Sequence, residues 1–339
     1  MFFNRTEMED TLKMERTDFA LGIDLGGTKI YAVITDAAHQ ILAEAKMETD
    51  NGAGPEKIAM DIVNLGKNVS AQIGTELEQI QHIGIALPAP VDPLTGDCLT
   101  ATNLGWKNFS IKETFRQLLG RDVYLNNDGN LGTLGEYTCG AARGFDTVIG
   151  YYVGTGLGGG IISNGRLHCG NSGLGGEFGH AIIKKGGRRC GCGHRGCVEA
   201  YCSKVAFVKA LKKEIFKKGQ STLLPADKFN INSKNIKSKH LAKAYRAGDA
   251  AVRRVIQDGA YMLGIAAASA SAIVAPDCIV LGGGVIEALG TEMYPFFKRG
   301  FDSCLFGLDP EKVNICFARL GDSAVAVGAT VYARQKGKV

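Results

Sequence analysis

Apolar residues in this chain of 339 residues fall into short β-rich runs that alternate with stretches of helical spacing. Phe19–Asp24 is apolar up to its closing acid, and Ile30–Thr35 is β-rich again after the polar, glycine-containing turn Leu25–Lys29. This pair predicts a hairpin. A second unit of the same kind follows about 130 residues later, in Val148–Val153, the glycine-rich turn 154–160 and Ile161–Ser163. Two such units, each opening a half of the chain at an interval too long for a solenoid repeat, predict two similar lobes. Pro55–Gly74 and Ile111–Leu119 carry helical spacing, His82–Ala86 reads as a strand, and Val123–Leu125 is a short strand ending at Asn126-Asn127-Asp128. Further on come an amphipathic helix over Glu199–Lys218, a long alanine-rich helix over Gly248–Ala275, strands at Cys278–Leu281 and Lys312–Phe317, and a closing helix at Ser323–Arg334. Lys217–Lys239, rich in lysine, asparagine and serine, reads as an exposed insertion. Alternation at these lengths predicts an α/β protein with largely parallel sheets covered by helices.

Composition narrows the function. The chain is 45% hydrophobic with 46 glycines, which suits a packed globular protein with many tight turns. Its net charge of +5 is concentrated in Lys184–Arg195 and Lys204–Arg246, with no aromatic-and-basic stripe, so no nucleic-acid partner is expected. Residues 1–18 form a charged leader without the apolar core of a signal peptide. Leu263–Ala275 is mostly alanine and reads as a buried helix, and no run approaches the roughly 18 apolar residues of a membrane span. The 10 cysteines are too sparse in a chain this long for a disulfide scaffold, which points to a reducing, cytoplasmic setting.

The candidate chemistry centres on Glu177–Glu199. His180, Cys190, Cys192 and Cys197 offer one nitrogen and three sulfur donors, the set of a closed structural zinc site. Buried or disulfide-bonded cysteines are the alternative. Glu177 and Glu199 bracket this cluster, and a His180 bound through one ring nitrogen leaves the other free to meet a polyol. The turns Gly26-Gly27-Thr28-Lys29 and Gly154-Thr155-Gly156 expose backbone amides of the kind that form anion nests. Gly154, Gly156 and Gly159 also fit the dinucleotide pattern, but the strand-like Ile161-Ile162 stands where that motif needs a helix. A third turn, Gly282-Gly283-Gly284, follows a buried strand and suits the nucleoside end of a nucleotide. Asp128 lies at the carboxyl end of a strand, where open α/β sheets bind ligands. It is a candidate general base, with helix capping as the alternative role. Asn103 lies in a loop where its amide suits a sugar hydroxyl or an Asx-turn. Phosphate nests, one carboxylate base and polyol-binding groups together point to phosphoryl transfer to a sugar.

Read in order, DLGGTK at 24–29, PAPVD at 88–92, TNLGW at 102–106, NNDGN at 126–130, GTGLGGG at 154–160, GEFGH at 176–180 and CGCGHRGCVE at 190–199 resemble the ROK family (repressor, open reading frame, kinase), and most of all its glucokinases. The resemblance covers nearly all of residues 19–335 and implies an actin-like, hexokinase-like fold of two ribonuclease H-like lobes with a cleft between them. Residues 19–126 plus 323–339 would make the smaller lobe and residues 127–322 the larger. It implies Asp128 as base for the sugar's primary hydroxyl, and Asn103, Asn127, Asp128, Glu177, His180 and Glu199 as sugar-binding. It implies His180, Cys190, Cys192 and Cys197 as zinc ligands. Asp24, the turns 26–29 and 154–156 and the glycines 282–284 would serve ATP and its Mg²⁺. The family also leads us to expect a homodimer. Ala89 and Gly129 depart from common family residues without removing a needed group. The rival implications are another hexose (mannose, fructose, allose or an N-acetylated hexosamine), polyphosphate as donor, and a sugar-sensing repressor. The last would need a winged helix-turn-helix that the 18 residues ahead of Phe19 are too few to form.

Overall fold

The computed structural model describes residues 18–50, 52–92, 95, 98–101 and 106–338. Asn103 and residues 1–17 of the leader lie outside them. The chain divides into two compact units. One holds the residues up to Arg143, then Arg166–Gly175, and those from Asp322 onward; the other holds Gly144–Gly165 and Gly176–Gly321. The first boundary thus falls at Arg143/Gly144, whereas the sequence reading puts it at 126/127.

In the first unit, strands β1 (Ala20–Leu25), β2 (Lys29–Thr35), β3 (Ile41–Glu48), β4 (His82–Leu87) and β7 (Tyr124–Asn127) form a sheet of order β3-β2-β1-β4-β7. β5 (Cys98–Ala101) and β6 (Trp106–Phe109) make a separate hairpin. β1, β2 and β3 are antiparallel, and β1, β4 and β7 are parallel. Leu21, Ile23 and Leu25 alternate onto one face of β1, where they join Ile58, Ile62 and Val69 of helix α1 (Pro55–Gln72) and Phe115 of α2 (Ile111–Leu119) in one buried core. β3 escapes sequence reading because it is largely solvated: only Ala43 of its eight residues is buried.

The opposite face of this sheet carries the last helix, α8 (Ala324–Arg334), which also packs on α3 (Asp128–Cys139). The approach is backbone to backbone. A Cβ on Gly84 would lie 2.0 Å from the Ala329 carbonyl oxygen, and one on Gly328 would lie 1.8 Å from that of Leu131. This packing is why α3 belongs with the first unit.

In the second unit, β9 (Leu157–Ser163), β8 (Val148–Val153), β11 (Cys278–Gly282) and β12 (Asn314–Phe317) lie side by side in that order; after β9 the chain continues through the short β10 (Arg166–Leu167). β8 and β9 form an antiparallel hairpin, while β8, β11 and β12 are parallel. The order β2-β1-β4-β7 therefore has a counterpart in β9-β8-β11-β12: a glycine hairpin followed by two parallel strands. The expected α/β class holds. Helices α4 (Lys204–Lys212), α5 (Ser238–Arg246), α6 (Ala250–Val274) and α7 (Gly284–Cys304) surround this sheet and its own core.

Three expectations change here. The glycine turn is shorter than 154–160, because Gly158, Gly159 and Gly160 pair with Tyr152, Tyr151 and Gly150 as part of β9. Ladder pairing overrides their low strand propensity. The helix expected over Glu199–Lys218 starts at Lys204, where the Ser203 hydroxyl accepts from the Ala206 N–H at 3.1 Å, and ends in a wider π turn at Lys213–Lys217. Lys217–Lys239 is not simply an exposed insertion: Leu224, Phe229 and Ile236 are buried in the unit's core. Asp249 ties the segment down, accepting from the Thr222 hydroxyl at 2.6 Å and the Leu223 N–H at 2.7 Å while it caps α6.

The seating of α8 makes Gly328→Ala costly. Urea denaturation is expected to show a loss of at least about 2 kcal/mol, the range for overpacking. Unchanged stability would rule out so close an approach.

Candidate functional site

In the first unit the strand register builds the site. Asp24 pairs with Ala86, and Ala86 with Asn126, so the ends of β1, β4 and β7 come level at one edge of the sheet. Asp24 and Asp128 lie there within electrostatic reach of each other. Burial and then the Asp128 charge push the Asp24 carboxyl up to about 7, against the opposing pull of Lys29. Desolvation is the larger cause, and the neighbouring acid adds to it. The capping question is answered by Asn127, whose side-chain oxygen accepts from the Gly129 N–H at 2.8 Å and the Asn130 N–H at 3.3 Å. Asp128 therefore occupies the first turn of α3 and accepts from the Gly129 N–H at 2.8 Å. Beneath it, buried Asn126 and Asn130 bond to each other at 3.1 Å, and the Asn126 amide donates to the Cys169 sulfur at 3.3 Å.

The turn Gly26–Thr28 joins β1 to β2 beside Asp24. Lys29 Nζ lies 2.7 Å from Asp322 Oδ2, and Lys46 Nζ reaches the same oxygen at 3.2 Å. The Lys29 hydrogen bond, opposed by partial burial and reinforced by Lys46, holds the Asp322 carboxyl below its usual range. Sequence reasoning missed both Asp322 and Lys46. Asp322 reads only as the residue before a helix, and Lys46 sits on the strand that was not recognised.

In the second unit Glu199 is the joint. One carboxylate oxygen accepts from the Leu157 N–H of the β8–β9 hairpin at 3.0 Å, and the other lies 3.4 Å from the Cys190 sulfur. The N–H groups of Lys204 and Val205 donate to the carbonyls of Gly154 and Thr155 at 3.0 and 3.4 Å, so the start of α4 fixes that hairpin too. Burial raises the Glu177 carboxyl, His180 opposes the rise and Glu199 adds to it, so the three groups lie within electrostatic reach of one another.

His180, Cys190, Cys192 and Cys197 bring their donor atoms within 4.8 Å of one another. The Cys192 and Cys197 sulfurs are 3.7 Å apart, and His180 Nδ1 is 3.8 Å from the Cys190 sulfur. Two metal–sulfur bonds of about 2.3 Å at a tetrahedral angle span about 3.8 Å. The set fits zinc in both donor type and spacing.

Gly282-Gly283-Gly284 links β11 to α7 beside β8. Gly283 has φ +85°, and a Cβ there would lie 2.8 Å from the Val153 carbonyl oxygen, so the turn needs glycine twice over. A cavity of about 210 Å³ adjoins it, lined by Leu281, Gly282, Ile286, Arg246 and Phe317 among others. Arg246 is held there by Glu292 and by its own bond to the Ala288 carbonyl at 2.8 Å. Arg246 and Phe317 carry no motif and were not singled out in the sequence.

The ROK family profile matches residues 20–336. The chain is 30% identical to a glucokinase from Halalkalibacterium halodurans over 319 residues, 93% of this chain and 95% of the relative. It is 31% identical to a ROK family glucokinase from Streptomyces griseus whose crystal structure contains glucose and AMPPNP, with a TM-score of 0.79 over 94% of this chain and 99% of that one. A xylose repressor from Caldicellulosiruptor bescii is 28% identical over 77% of this chain and 65% of the repressor.

The raised Asp24 carboxyl sets a pH dependence. The folded form keeps its proton up to about pH 7, against an ordinary value of 3.8, so its contribution to stability is complete below about pH 4. That contribution is lost as pH rises through 7. Urea unfolding of the ligand-free protein should therefore weaken between pH 4 and 7 by up to about 4 kcal/mol. Asp24→Asn should flatten that slope; an equal slope in the variant would exclude Asp24 as its source.

Proposed function

The chain belongs to the ROK family, and from that premise we propose that it is an ATP-dependent hexose kinase acting on the 6-hydroxyl of glucose, with Asp128 as general base. The observation that carries the reading is the strand register that brings Asp24, near the end of β1, level with the end of β7, where Asp128 follows, beside the Gly26–Thr28 turn. A carboxylate at a parallel-strand end, next to backbone amides that suit phosphate, is the equipment for moving a phosphoryl group onto a hydroxyl. The glucokinase similarity supports glucose as the acceptor, and the AMPPNP bound in the Streptomyces griseus enzyme supports ATP as the donor.

In this mechanism Asn103, Asn127, Glu177, His180 and Glu199 hold the sugar, each through hydrogen bonds to ring hydroxyls. Asp128 orients the 6-hydroxyl and takes its proton as the oxygen attacks the γ-phosphorus, whose bond to the β–γ bridging oxygen breaks so that ADP leaves. Backbone amides around Thr28 and Thr155 steady the phosphate tail, and Lys29 exchanges its Asp322 contact for a phosphate oxygen. Asp24 is the residue to hold Mg²⁺, which neutralises donor charge when bound. Its ionisation then becomes favourable, reversing the effect of burial. Gly282–Gly284 and the adjoining cavity serve the nucleoside.

His180, Cys190, Cys192 and Cys197 hold zinc in a structural role, keeping Glu177 and Glu199 in place. Thiolate ligands suit a reducing compartment, and we assign the protein to the cytoplasm on that ground. A homodimer is proposed from the family resemblance.

The second reading, a sugar-responsive regulator, draws on the xylose repressor similarity. A panel of hexoses with ATP separates the two. Phosphorylation of glucose at a higher kcat/KM than mannose, fructose, allose or N-acetylglucosamine is expected. Sugar-dependent thermal shifts without any phosphorylation would favour the regulator. Asp128→Asn should lower kcat at least about a hundredfold, within the general-base range, while glucose binding measured by calorimetry persists. Near-normal turnover would remove Asp128 from its role. Cys192→Ser should lose bound zinc by elemental analysis and melt at lower temperature; full zinc content in that variant would refute the metal assignment.

A further inference from the structure

The Gly26–Thr28 turn has a partner that neither its motif nor the family comparison assigns. Thr49, the residue after β3, is 9% exposed. Its hydroxyl donates to the Gly26 carbonyl at 2.7 Å, and its N–H donates to the Thr28 carbonyl at 3.1 Å. The Gly26 N–H closes the turn onto the Lys29 carbonyl at 3.0 Å.

In a trans peptide the carbonyl and the following N–H point in opposite directions. Drawing the Gly26 and Thr28 carbonyls toward Thr49 therefore turns the amides of Gly27 and Lys29 the other way. The need for such a tether follows from the turn's composition. Gly26-Gly27 is the least restrained kind of dipeptide, and its carbonyl can swing with little steric resistance. A loop that binds phosphate through amides must hold them in place beforehand, or ordering it weakens binding. The N–H bond from Thr49 merely extends the β2–β3 ladder past Lys29–Glu48. The hydroxyl bond is different, since it reaches across to the first residue of the turn.

We propose that Thr49 is a positioning residue for the donor phosphates, its hydroxyl fixing the Gly26-Gly27 peptide and so the conformation in which the turn meets the phosphate tail. This rests on the donor-binding reading of that turn.

Thr49→Val, Thr49→Ala and Thr49→Ser test it in the full chain. Val and Ala remove the hydroxyl, and Ser keeps it. KM for ATP is expected to rise about five- to tenfold in Val and Ala, the worth of one hydrogen bond. KM for glucose should stay within about twofold, and Ser should match the parent. A purely structural role would lower the melting temperature in Val and Ala with both KM values unmoved or moving together, and would overturn the proposal. So would a Ser variant whose KM for ATP rises like that of Val. Calorimetric titration with Mg²⁺–AMPPNP reads the same effect without any sugar. If the parent phosphorylates no hexose yet binds AMPPNP more tightly than Thr49→Val, the tether stands and the hexose-kinase reading falls. Equal AMPPNP binding by parent and variant, or none by the parent, overturns the tether.

Discussion

The near-contact between α8 and the first sheet is the constraint on which the candidate site depends. Gly84 removes the side chain that would hold the sheet off the helix, and Gly328 the one that would hold the helix off α3. A helix seated at that depth has little freedom to slide, because any shift drives backbone against backbone of a neighbouring segment. Asp322 stands just ahead of this helix, so its carboxylate is delivered to Lys29 and Lys46 by packing rather than by its own exposed ion pairs. Surface pairs of that kind contribute little to stability on their own. Their value here is positional. The same helix backs α3, whose first turn carries Asp128, so one packing interaction fixes the placement of both acids.

The second unit solves a similar problem with a different device. Its site segments, 177–180 and 197–200, are single 3₁₀ turns with too few internal bonds to hold themselves. Glu199 compensates by linking the β8–β9 hairpin to the cysteine loop, and the four donor atoms can be locked by one ion. Short loops braced from both sides can be exposed and still well placed. The first unit gains order from helix packing, and the second gains it from polar and metal-ligating side chains.

Much of this was legible in the sequence, for physical reasons that differ by element. β1, β8 and β11 are buried on both faces, so their apolar runs are unbroken and easy to read. Asp128 and the cysteine cluster announce themselves by chemistry and spacing. The other elements hide. β3 does alternate, with Ala43, Ala45 and Met47 inward of Glu44, Lys46 and Glu48, but its inward residues are small or only partly buried and make a faint apolar signal. Gly158–Gly160 look like a turn because their strand pairing is supplied by a neighbour. Thr49, Asp322 and Arg246 belong to the site through contacts made with residues far away in the chain, and no local pattern encodes such contacts. The insertion was read as exposed on its composition, although three apolar residues in it reach the core. Capping by Asn127 rather than Asp128 turns on a single residue of register, finer than composition or spacing can resolve.

The make-up of the first unit has a consequence for biosynthesis. Its strands leave the ribosome before the second unit, but the helix that covers the Gly84 face is translated only after that unit. The second unit is drawn almost entirely from the interval between them. A nascent chain can therefore complete its later-starting half first, while the earlier strands wait with one apolar face uncovered and open to chaperones.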